Sequence, residues 1–108
     1  MKNKEEQLLN IMNIQKNKNS VDLVSTIISK MKTDIDYLIP KLITLKDKLQ
    51  HIKGYITIAN TNNKIKIAYS KDISKDIIRE FHFICENWSK KYKIDLEYNI
   101  SNDYLYLT

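Results

Sequence analysis

The chain has 108 residues, 43% hydrophobic and 29% charged, enough for one folded core but not two, and unlike a disordered composition. No stretch approaches the ~20 apolar residues of a membrane helix, so no membrane partner is expected. The net charge of +5 is built from lysine, with Arg79 the only arginine among 18 basic residues. Arginine's planar fork is the usual tool for phosphate and base-edge contacts, so this balance weakens a nucleic-acid role; abundant lysine, isoleucine and asparagine also follow from an AT-rich coding sequence.

The start, Met1-Lys2-Asn3-Lys4-Glu5-Glu6, has no apolar signal core behind its charges, and the lone Cys85 cannot form an internal disulfide. Both features suit the cytoplasm of the producing or host cell. Residues 1–53 carry a charge balance of +4 and residues 54–108 one of +1, so an electrostatic footprint is expected on the first half.

In chain order, Leu8, Leu9, Ile11 and Met12 predict a short helix within Glu5–Lys16, with Glu5 and Glu6 suited to its N-terminus. It should end before Asn17-Lys18-Asn19, where Ser20 is the expected N-cap of a second, long helix. Val21, Val24, Ile28, Met31, Ile35, Leu38, Leu42, Leu45, Leu49 and Ile52 recur at alternating steps of three and four, which is a heptad seam. The helix is expected to run to Lys53, with Gly54, the only glycine, as a left-handed cap. Pro40 falls opposite the seam, so a kink there would wrap the helix around its apolar side.

The positions flanking the lower seam are Lys41, Lys46, Lys48 and Lys53, which a parallel homodimer would set against one another. That half is therefore expected against the chain's own sheet. In the upper half, Leu23, Ile27, Tyr37 and Ile39 widen the stripe beyond a two-stranded seam. A homodimer is expected there through the N-terminal helices, by way of Leu8, Ile11, Met12, Leu23, Ile27 and Met31.

After Gly54 the period changes to two. Residues 55–59 and 64–68 flank Asn60-Thr61-Asn62-Asn63 and predict a hairpin. Pairing Asn60 with Asn63 puts Ile56, Ile58, Ile65 and Ile67 on one face and Tyr55, Thr57, Lys64 and Lys66 on the other. Residues 70–92 return to helical spacing, with Ile77, Phe81, Ile84, Cys85, Trp88 and Tyr92 on one stripe and Ser70 or Ser74 as cap. The last residues predict a second hairpin with Ile100 opposite Asp103, placing Ile94, Leu96, Tyr98, Ile100, Leu105 and Leu107 inward and Asp95, Glu97, Asn99, Tyr104 and Tyr106 outward. The expected fold is a single α+β domain over 1–108, with a helical part (1–53) and a ββαββ part (54–108). Its four-stranded, mainly antiparallel sheet is covered on one face by helices.

Recognisable catalytic parts are few. His82, Cys85 and Glu86 share a helical flank, but zinc needs three or four ligands and His51 is the only other histidine, so Cys85 is read as core and no metal is expected. Asp34 and Asp36 lie about 200° apart on a helix and read as a solvated face, while Asp72 and Asp76 suit a helix start. One glycine allows no phosphate loop or nucleophile elbow, and neither enzyme activity nor a cofactor is expected. Tyr55, Tyr104 and Tyr106 with Lys64 and Lys66 on the outer sheet face are the candidate protein-binding residues. The expected function is a non-catalytic protein-interaction module, an adaptor or inhibitor of the kind viruses and mobile elements encode. The alternative is a nucleic-acid-binding regulator using Lys30, Lys32, Lys41, Lys46, Lys48 and Lys53.

Overall fold

A computed structural model describes residues 3–59, 62–99 and 104–107. Three helices precede the first strand: α1 (Lys4–Ile11), α2 (Lys18–Lys30) and α3 (Ile35–Leu49), the last followed by a short 3-10 turn, Gln50–Ile52. Strands β1 (Gly54–Ile58) and β2 (Ile65–Tyr69), helix α4 (Lys75–Tyr92), and strands β3 (Leu96–Asn99) and β4 (Tyr104–Leu107) complete an α+β chain.

Helix ends are set by local hydrogen bonds. Asn3 caps α1 by accepting from the Glu6 N–H at 2.8 Å. The helix stops because Asn13 turns left-handed at φ 55°, and the Ile14 N–H reaches back to the Leu9 carbonyl at 3.0 Å. Asn17, not Ser20, caps α2. Ser20 stands three residues on and completes a capping box, its amide donating to Asn17 Oδ1 and its Oγ accepting from the Asn17 amide, both at 2.9 Å. Ser74 caps α4, which begins later than its periodicity suggests.

The heptad seam is not one helix. It divides between Met31 and Asp34, where the backbone is extended (ψ 141° and 125°), rather than at Pro40. A helix from Ser20 to Lys53 would be about 50 Å long, whereas the largest extent of the molecule is 38 Å. Breaking it lets both pieces pack on one core. Asp34 and Asp36 fall at the N-cap and first turn of α3, where carboxylates favour the helix dipole. Pro40 lies exposed inside α3, so the helix continues without the amide that would have bonded the Asp36 carbonyl.

The expected left-handed cap at Gly54 is corrected as well. Lys53 takes that conformation at φ 60°, and Gly54 begins β1 opposite Tyr69. Glycine is needed there for space, since a Cβ would sit 2.8 Å from Leu49 Cβ.

All strand pairs are antiparallel, in the order β1-β2-β4-β3. Ile56 pairs with Ile67 and Ile58 with Ile65, the register that follows from Asn60 opposite Asn63. Leu96 pairs with Leu107 and Tyr98 with Leu105, the register that follows from Ile100 opposite Asp103; Asn60, Ile100 and Asp103 themselves lie outside the described residues. Ile56, Ile65, Ile67, Leu105 and Leu107 join Leu38, Leu42, Leu45 and Leu49 of α3 and Phe81, Cys85 and Trp88 of α4 in one buried cluster. Each such side chain contributes about 1.5–3 kcal/mol by leaving water. Trp88 also donates from Nε1 to the Lys41 carbonyl at 2.8 Å, and the Tyr37 hydroxyl donates to the Tyr92 carbonyl at 2.9 Å, tying α3 to α4.

Candidate functional site

The register that turns the isoleucines inward turns a different set of residues outward. Tyr55 lies opposite Ala68, Thr57 opposite Lys66, and Tyr106 between Lys66 on β2 and Glu97 on β3. Tyr104 stands on β4 on the same side. Ala68 is buried although it belongs to this face, as a small residue flanked by large ones.

Tyr55 and Tyr104 form the aromatic part of the surface. Tyr55 is 43% exposed. Partial burial, and next the neighbouring Tyr104 phenol, raise its pKa above the ordinary tyrosine value, so it stays a neutral hydroxyl able to donate at physiological pH. Lys66 Nζ lies 4.8 Å from the Tyr104 ring centroid, a cation–π distance, and Tyr104 meets Tyr69 edge-on at 5.6 Å. The cluster thus presents two rings, one cation and hydroxyl groups from adjacent strands, chemistry suited to amide, carboxylate and apolar groups of a protein.

Two expected members behave differently. Lys64 Nζ binds Glu97 Oε2 at 2.8 Å, and because β4 lies between β2 and β3 this pair crosses over β4. Tyr106, the β4 residue beside Glu97, is only 6% exposed. It is therefore part of the packing of this face and not an outward anchor. Lys64 is committed to its carboxylate, which leaves Lys66, Tyr55 and Tyr104 as the outward-facing members.

The six dimerisation candidates are used within the chain. Leu8, Ile11, Met12 and Ile27 are buried in its own core, and Leu23 and Met31 pack partly against it. Within the chain α1 packs against both α2 and α3 and covers most of this set, while Leu23 and Met31 stay partly exposed.

The six lysines of the alternative reading are dispersed. Lys30 ends α2, Lys32 lies in the break before α3, and Lys48 is exposed on α3. Lys41 Nζ sits over the Tyr37 and Tyr92 rings at 5.3 and 4.8 Å, Lys46 donates to the Asn10 carbonyl at 3.3 Å, and Lys53 binds Asp72 at 3.1 Å. Half of the set is engaged internally. The Asp72 carboxyl is held below its ordinary range, first by the Ser70 hydroxyl and then by Lys53.

On α4, Cys85 is fully buried, and burial followed by the charge of Glu86 pushes its thiol up to about 12. A thiol so protonated is a core residue rather than a nucleophile. His82 turns elsewhere, its Nδ1 hydrogen-bonded to the Tyr98 hydroxyl at 2.6 Å and its ring stacked on Tyr98. Among the described residues no cluster of His, Cys, Asp and Glu is arranged for a metal, and no helix is long and apolar enough to cross a membrane. Phe83, 65% exposed on α4, is a surface feature that the stripe from Ile77 to Tyr92 conceals; the signal for it is an aromatic residue standing off that stripe.

No protein-family model matches this chain, and comparison with curated proteins and with solved structures likewise finds no match.

Proposed function

We propose that the protein is a non-catalytic interaction module that binds a macromolecular protein partner in the cytoplasm and acts on it as adaptor or inhibitor. The observation that supports this reading is the pairing of Tyr55 and Tyr104 on the sheet face, with Lys66 against the Tyr104 ring. Tyrosine gives large contact area at small entropic cost and a hydroxyl that finds a partner, which is why it is enriched in protein interfaces. For single-stranded nucleic acid the same face is less suited. Tyr106 is too buried to stack a base, and Lys64 is held by Glu97 rather than open to phosphate.

The test is affinity capture from host cells with the wild-type chain and with a Tyr55→Ala, Tyr104→Ala variant, recovering both proteins and nucleic acid. A protein bound by the wild type and lost from a variant with an unchanged melting curve is the expected result. Retention of the partner by the variant, or recovery of nucleic acid in its place, overturns the reading.

A further inference from the structure

The break between α2 and α3 is weakly specified by the residues that make it. Met31-Lys32-Thr33-Asp34 contains neither glycine nor proline, and Asp34, at the N-cap of α3, makes no side-chain cap hydrogen bond. Two helix ends meet here, leaving carbonyls of α2 and amides of α3 that a continuous helix would pair with one another. Helical spacing also continues across the break. Ile28, Met31, Ile35 and Leu38 keep steps of three and four, and Lys30 with Asp34 and Lys32 with Asp36 would become opposite charges at i,i+4.

Docking of the first two helices is what keeps the chain bent. Helix α2 packs on α1, and α1 packs on α3. Lys4 binds Asp36 at 3.2 Å and Lys46 donates to the Asn10 carbonyl at 3.3 Å, while Leu8, Leu9, Val24 and Ile27 enter the common core. Where α2 ends, among Ile27, Met31, Ile65 and Leu107, a cavity of about 110 Å³ remains. Packing is thus least complete at the point where the chain turns.

We propose that Met31–Asp34 is an exchange hinge through which two copies of this chain swap their α1–α2 hairpins. With the hinge helical, α2 and α3 form one rod, and the hairpin leaves its own core for the same place on a second copy, which returns its own. The occupant is specified because every contact the hairpin makes there is one it already makes within a single chain. A single core 38 Å long cannot take a helix of about 50 Å, but two cores can, one for each half. The residues Leu8, Ile11, Met12 and Ile27, buried within the monomer, would then be buried between chains. The closed hairpin competes at an effective concentration of about millimolar, so exchange belongs to concentrated protein, and helix gained at both hinges favours it. The inference uses no residue of the tyrosine face.

The test is refolding at about millimolar concentration, followed by size exclusion with light scattering and a distance measurement within one chain. Spin labels at Lys18→Cys and Lys48→Cys, both exposed positions, are read in labelled chain diluted with unlabelled chain; Cys85 is buried and stays unlabelled. The rod separates these positions by about 45 Å, so the dimer fraction should show a distance of that order which the monomer fraction lacks. Thr33→Ala with Asp34→Ala raises helix propensity in the hinge and should strengthen dimerisation roughly tenfold per hinge, about a hundredfold for the two. Asp34→Pro fits the bent form, where φ is −62°, and forbids the rod, so its dimer should be lost while its melting curve is kept. No dimer in the wild type or the alanine variant, a dimer that keeps the monomer's distance, or undiminished dimerisation of a folded Asp34→Pro chain overturns the proposal. If Asp34→Pro does not fold, the distance in the alanine variant decides alone.

Discussion

The two faces of the sheet are written by one alternation, yet they differ in what their side chains answer to. Ile67 on β2 is enclosed, with α3 and α4 residues in its cluster, while its neighbour Lys66 lies across Tyr104 on a face where ring and cation meet solvent. On the inner face, shape decides, because interiors are close-packed and a lost methylene leaves a void. On the outer face, side chains lean on one another. The Lys64–Glu97 pair over β4 and the rings around Ala68 make a surface that is ordered without a helix above it.

Substitution at adjacent positions separates these regimes. Ile67→Ala should cost about 2–5 kcal/mol in urea unfolding, the sum of lost transfer energy and cavity; a loss below about 1 kcal/mol would mean that the inner face repacks freely. An intermediate effect should appear in pH dependence. Cys85 is held protonated to about 12 in the folded chain, whereas its ordinary value is 9.0. Its folded pKa is raised, so that stability is present below the unfolded value and declines as pH climbs from 9.0 toward about 12, where the unfolded thiol ionises and the folded one does not. Cys85→Ala should flatten this decline, and a thiol reagent should label the native protein only after unfolding; rapid native labelling would contradict the burial. Smallest is Lys66→Ala, expected to change stability by less than about 1 kcal/mol, because an exposed cation–π contact is weak. A larger loss would show that the outer face supports the fold as firmly as the inner one.

Much of the sheet was legible before any coordinates. Both hairpin registers follow from period-two alternation, since a slip by one residue would exchange isoleucines for lysines, a penalty that is local and readable. Strand order was not legible, because the pairing of β2 with β4 depends on how α4 returns the chain. The helical half was less transparent. A heptad stripe stays in phase across Met31–Asp34 because residues on both sides face the same core, so periodicity alone does not report a break. Asp34 stands at the N-cap of α3 without a side-chain cap hydrogen bond, and Asp34-Ile35-Asp36 reads equally as a solvated face, so no strong local signal marks the break. At the candidate site, Tyr55, Tyr104 and Lys66 were identifiable from alternation. The burial of Tyr106 was not, because it depends on the middle position of β4 and on a lysine–glutamate pair that spans two strand gaps.

Asn13, Lys53 and Lys93 close helical segments in the left-handed region, where a side chain usually costs about 1 kcal/mol relative to glycine. The chain's one glycine stands instead where Leu49 leaves no room for a Cβ. Conformational freedom and steric room, which glycine often supplies together, are here held at separate positions. The three turns can therefore drift among residue types at modest expense in stability, while position 54 cannot, and a search for distant kin of this chain should weight that position above the turns.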